Sequence, residues 1–86
     1  MKRFEKLLKK LFNKDSEKNY IFADMAWLLE EMGFTYRIKG SHYIFSRQGL
    51  KEIINLQPKG KLVKVYQVKQ VREIIRKCNL MVRLLR

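Results

Sequence analysis

Between residues 3 and 12 the apolar side chains Phe4, Leu7, Leu8 and Leu11 recur at the three-four spacing of a helix with one buried face. Lys6, Lys9 and Lys10 fall on the opposite side. This predicts an amphipathic first helix that packs against a core; its basic face would also suit a membrane surface, but the helix is short for that role. Residues 13–19 are polar and charged and predict a loop. A second apolar stripe, Phe22, Met25, Leu28, Leu29 and Met32, then ends at Gly33. Glycine takes the left-handed conformation of a helix C-cap, so a second helix should stop there. Trp27 falls at the edge of that apolar face, as packing and not as a platform for a base.

From residue 34 to residue 47 the period changes to two, broken only by Gly40-Ser41. A two-residue loop with glycine first predicts a tight hairpin in which Lys39 pairs with His42, Ile38 with Tyr43, Arg37 with Ile44 and Tyr36 with Phe45. Tyr36, Ile38, Tyr43 and Phe45 then share one face and form core, whereas Arg37, Lys39 and His42 lie on the other. The glycine-containing run RQGLK predicts a second turn, followed by a third strand over residues 52–57 that ends at Pro58. PKGKLVK predicts a basic loop. A last helix should start near Val65 or Tyr66, with Val68, Val71, Ile75 and Cys78 as its apolar stripe and Lys69, Arg72, Arg76 and Lys77 around it. The tail NLMVRLLR reads as a helical extension or a docking strand. The expected class is therefore α+β, a three-stranded antiparallel sheet with helices on one face and the other face open.

Composition narrows what such a fold is for. The 86 residues allow one domain, spanning 1–86, with 1–13 as an additional N-terminal helix and 20–78 as the core. Lys and Arg number 20 against 8 Asp and Glu, a formal charge of +12, while 47% of residues are hydrophobic. That balance describes a folded basic domain whose charge calls for nucleic acid or an acidic protein as partner. The single cysteine, Cys78, has no second cysteine for a disulfide or a cysteine-based zinc site. Glu30, Glu31, Glu52 and Glu73 are too dispersed for a metal site, so no metal and no small-molecule cofactor are expected. The opening MKRFEKLLKKLF lacks the uninterrupted apolar run of a signal peptide or a membrane span, and a reducing cytoplasm is the expected location, with no membrane partner.

The candidate chemistry centres on His42, since histidine is the side chain whose ordinary pKa lies near neutrality. Arg37 and Lys39 on the same predicted face could hold a phosphate, and the backbone amides of Gly40 and Ser41 could approach one closely. Lys59, Lys61 and Lys64 could extend a phosphate track beside that face.

The string KGSHYIF, preceded by a helix ending in Gly33-Phe34 and followed by a strand, a proline and a helix beginning KVYQVKQVREII, resembles the HicA family of toxins along essentially the whole chain. Its distinctive pieces are Gly40-Ser41-His42 and residues 64–75, which are similar to a branch of the family that carries an extra N-terminal helix. The resemblance implies a double-stranded-RNA-binding-like α-β-β-β-α fold with a helix added in front. It further implies ribosome-independent cleavage of mRNA with the histidine at position 42 as the catalytic residue, and neutralisation by a HicB-type antitoxin. Two features depart from the family. Many members carry a histidine beside the proline after the third strand, where this chain has Gln57-Pro58-Lys59, and a glycine-threonine-leucine that often opens the last helix is here Tyr66-Gln67-Val68.

The expected activity is that of a toxin of a type II toxin-antitoxin pair, a metal-independent endoribonuclease with His42 as general acid or base. The alternative is a non-catalytic RNA-binding module, or an inactive toxin relative that only binds its antitoxin. A helix-turn-helix DNA reader is disfavoured, because strand alternation occupies the place where adjacent helices should lie.

Overall fold

The structure, a computed structural model, describes residues 2–78; the tail NLMVRLLR, expected as a helix extension or docking strand, lies outside the described residues. Helix α1 spans Arg3–Phe12, a 3₁₀ helix Lys14–Asn19 and helix α2 Phe22–Glu31. Strands β1 (Thr35–Lys39), β2 (His42–Ser46) and β3 (Ile54–Leu56) follow, then the short strands β4 (Pro58–Lys59) and β5 (Leu62–Val63), and finally helix α3 (Val65–Lys77). The class is α+β, with β1, β2 and β3 forming an antiparallel sheet in that order.

One core joins the elements. Leu7, Leu8 and Leu11 of α1, Met25, Leu28 and Leu29 of α2, Phe45 of β2, Ile54 and Leu56 of β3, and Val68, Val71 and Ile75 of α3 are all buried in a single cluster. The first helix is thus a core element, as its apolar stripe predicts. Tyr20 hydroxyl donates to the Leu7 carbonyl at 2.7 Å, and the Arg3 guanidinium stacks 4.1 Å above the Trp27 ring while pairing with Asp24 at 3.2 Å. Burial pushes the Tyr20 phenol well above its ordinary pKa, with the nearby Asp24 charge adding to the shift.

Helix α2 ends as the glycine requires. Phe34 N–H donates to Leu29 and Gly33 N–H to Glu30, the paired bonds of a Schellman cap, with Gly33 at φ 94°. The cap turns the chain directly into β1. The β1–β2 register is the one the alternation predicts, Tyr36 opposite Phe45, Arg37 opposite Ile44, Ile38 opposite Tyr43 and Lys39 opposite His42. Gly40, first in the two-residue turn, has φ 63°.

Several expectations need correction. Tyr36 and Ile38 face the same way as Phe45, yet they remain 43% and 58% exposed. β1 is an edge strand, so the Tyr36 ring packs on Tyr43 and Phe45, and Ile38 stands opposite Tyr43, without either being enclosed. Residues 13–19, expected as a loop, contain the 3₁₀ helix Lys14–Asn19, capped by Asn13, whose side chain accepts from the Asp15 N–H at 3.0 Å. The third strand is shorter than expected and covers only Ile54–Leu56.

PKGKLVK is a hairpin and not an open loop. Gly60 at φ 62° closes β4 on β5, and the hairpin is stitched to the chain at the start of α2 by Phe22 N–H to Lys61 and Val63 N–H to Tyr20, each at 2.9 Å. Arg72, expected on the solvated side of α3, is instead 5% exposed. Its Nε donates to the Leu11 carbonyl at 2.9 Å and its Nη2 lies 2.5 Å from Glu17 Oε2, so the cation is compensated by a helix end and a carboxylate.

Candidate functional site

Alternation along β1, β2 and β3 puts Phe45, Ile54 and Leu56 into the core and leaves Arg37, Lys39, His42 and Asn55 exposed on the opposite face. On that outer face the imidazole of His42 is held by a neighbouring strand. His42 Nδ1 lies 2.8 Å from Asn55 Oδ1. The amide oxygen has only lone pairs to offer, so Nδ1 carries the hydrogen and donates it. In the neutral ring the second nitrogen, Nε2, then holds an unshared pair.

A second set of contacts joins the turn to the start of α3. Gln57 Nε2 donates to Ser41 Oγ at 2.9 Å, and Lys64 Nζ donates to Gln57 Oε1 at 3.5 Å. The buried Gln67 side chain accepts from the Gln57 N–H at 3.3 Å and donates to the Asn55 carbonyl at 3.5 Å. The first turn of α3 therefore fixes the backbone on either side of Leu56, from which Asn55 and Gln57 reach His42 and Ser41. Gln57 is a linker between the turn and Lys64.

The residues expected at the site are only partly assembled. Ser41, His42 and Lys64 belong to these linked contacts, and Lys39 stands opposite His42 in the hairpin register. The turn at Gly40 has open space around it, so its amides are approachable. Arg37 lies two register steps along the same face, opposite Ile44. Lys59 lines a shallow depression of about 770 Å³ together with Lys64, whereas Lys61 is at the exposed tip of the β4–β5 hairpin and its carbonyl accepts from Phe22.

Asn55, Gln57 and Gln67 are the residues that sequence reasoning did not find. Their signal is present in Ile54-Asn55-Leu56-Gln57, where polar and apolar residues alternate. Continuing the observed β2–β3 register by one step sets Gln57 opposite His42, on the same face as Asn55.

Glu52 and Glu73 are engaged with other partners. Glu52 lies near Lys77 at 3.3 Å and accepts from the Cys78 thiol at 3.5 Å; its own backbone N–H, then these two partners, hold its carboxyl below the usual range. Glu73 pairs with Arg76 one helical turn on. Among the described residues no three His, Cys, Asp or Glu side chains are grouped as a metal site requires, and no helix is long and apolar enough to cross a membrane. No family model, no curated protein and no solved structure matches the chain.

Proposed function

We propose that this chain is an endoribonuclease of the HicA-like toxin class, with a double-stranded-RNA-binding-like arrangement of its sheet and helices. In this reading it cuts mRNA at the His42 face and is neutralised in the cytoplasm by an antitoxin of the HicB type. The observation that carries the reading is the hydrogen bond from His42 to Asn55 on an exposed face whose other charged residues, Arg37 and Lys39, are cationic. A histidine fixed through Nδ1 by an acceptor, with Nε2 directed to a substrate, is the arrangement that a general base needs.

The reaction follows from those groups. His42 Nε2 removes the proton of a ribose 2′-hydroxyl, whose oxygen attacks the adjacent phosphorus. The bond from phosphorus to the 5′ oxygen breaks, that oxygen takes a proton from water, and the resulting hydroxide takes the proton held by His42, which returns to its neutral form. The products are a 2′,3′-cyclic phosphate and a 5′-hydroxyl. Lys39 and the Gly40 and Ser41 amides stabilise the charge developing on the phosphoryl oxygens, and Arg37 holds the strand on the same face. Asn55 is a positioning residue that selects the tautomer of His42. One acid-base histidine supplies roughly 10²- to 10⁴-fold, and positioning and charge stabilisation supply the remainder.

An antitoxin for this surface would present acidic groups to Arg37 and Lys39 and cover His42. The test is expression of the intact chain and of His42→Ala, with and without its antitoxin, together with analysis of the RNA ends. Growth arrest and cyclic-phosphate ends that both disappear in His42→Ala support the reading. Tight RNA binding by the wild-type chain with no cyclic-phosphate product would identify it as a binding module.

A further inference from the structure

The depression lined by Lys59 and Lys64 lies beyond the His42 group and has its own chemistry. Its walls are drawn from the 3₁₀ helix, which contributes Lys18, from the β4–β5 hairpin, which contributes Pro58 and Lys59, and from the start of α3, which contributes Lys64, Val65 and Tyr66. Among the described residues three cations line it and no carboxylate does. By contrast, the depression containing Lys14, Lys69 and Arg72 also contains Glu17 and Glu73, and its charges are largely spent on the pairs Arg72–Glu17 and Arg76–Glu73.

Tyr66 is the second peculiarity of this place. Among the described residues it is the most exposed of the large hydrophobic side chains, at 61%, although it sits in the first turn of a helix whose other face is in the core. An aromatic ring that contributes nothing to the core and stands among lysines has the composition of a site for a nucleotide. The ring and the apolar wall of Pro58 and Val65 offer surface to a base, while the ammonium groups offer charge to its phosphates. Lys64 belongs to both places: it lines the depression, and through the Gln57 amide it reaches Ser41, the neighbour of His42.

We propose that this depression holds an unpaired nucleotide of the RNA strand adjacent to the nucleotide cut at His42, with its base against Tyr66 and its phosphates met by Lys18 and Lys59. The proposal rests on the ribonuclease reading of the His42 face and adds that the RNA is single-stranded where it passes from the turn to α3. A base still paired in a duplex has no face to give to Tyr66, because both faces are stacked on its neighbours.

The experiment uses the full chain carrying His42→Ala, so that substrate survives, and a fluorescently labelled eight-nucleotide RNA as a single strand and as a duplex. Tyr66→Ala should weaken single-strand binding by about 5- to 150-fold, the worth of one stacked base, and leave duplex binding unchanged. Tyr66→Trp should retain it. Lys18→Ala should keep the stacking but reduce the slope of log affinity against log salt by about 0.7. Unchanged single-strand affinity in Tyr66→Ala, equal losses for single strand and duplex, or no affinity for either RNA overturns the proposal. If wild-type protein yields no cyclic-phosphate ends yet the Tyr66 effects appear, the nucleotide site stands and the cleavage reading fails.

Discussion

His42 Nδ1 and Asn55 Oδ1 meet at 2.8 Å across the outer face of the sheet, one residue from the start of β2 and the other from the middle of β3. The contact converts a turn histidine into a side chain with a defined tautomer and orientation. Asn55→Ala should lower cleavage about 10-fold, the worth of one hydrogen bond, through kcat and not KM. Asn55→Asp preserves an acceptor for the same hydrogen and should keep most of the activity. A loss in Asn55→Asp as large as in Asn55→Ala, or a change confined to KM, contradicts the positioning role.

The buried pair of Arg72 and Glu17 fastens α3 to the 3₁₀ helix, and Arg72 Nε also satisfies the Leu11 carbonyl at the end of α1. Removing one partner leaves the other charge without compensation in a dry setting. Arg72→Ala should therefore cost about 3–5 kcal/mol in chemical denaturation. The double variant Glu17→Leu, Arg72→Met should be clearly more stable than Arg72→Met alone, since no isolated charge remains. Equal stabilities would show that packing of the arginine stem, and not charge, accounts for the loss.

Gly33 is fixed by its backbone. At φ 94° a side chain is strained, and a Cβ there would also come within 3.3 Å of Arg47 Nε. Gly33→Ala should destabilise by about 1–2 kcal/mol and leave the His42 face intact. Thermal melts alongside RNA cleavage at a temperature where both chains are folded separate the two effects.

The raised pKa of Tyr20 sets an alkaline limit. The unfolded phenol loses its proton near pH 10, whereas the buried one keeps it, so the unfolded chain is favoured as pH rises above that value. The stabilisation is fully present below about pH 10 and is lost progressively above it. Tyr20→Phe should cost about 1–2 kcal/mol at neutral pH, through the bond to Leu7, and show a shallower decline in stability between about pH 10 and 11.5. Parallel declines would remove Tyr20 as a cause.

The hairpin was legible because one face of the alternation had to be apolar, and the register from Lys39–His42 to Tyr36–Phe45 followed from Gly40-Ser41. The helices were legible for the same reason of period. The second hairpin was not, although Gly60-Lys61 repeats the glycine-first turn; its strands are only two residues each, too short to show alternation, and it depends on bonds from Tyr20 and Phe22 that are distant in sequence. Arg72 was misplaced because a helical stripe shows which side is apolar, not whether a carboxylate and a free helix end wait for a charge near that stripe. Asn55 required the register of β2 on β3, which the seven residues between those strands do not specify. Tyr36 and Ile38 were on the right face, but the helix positions that leave β1 uncovered are a property of packing.

The reaction proposed for His42 begins at a 2′-hydroxyl, and a single RNA substitution isolates that step. A short single-stranded RNA is digested with purified wild-type chain, its cut position is mapped, and the same RNA is prepared with 2′-deoxyribose only on the 5′ side of that position. Mass spectrometry should find a 2′,3′-cyclic phosphate from the unmodified strand and an intact modified strand. Cleavage of the modified strand at the same position, with ends lacking the cyclic phosphate, would contradict the account.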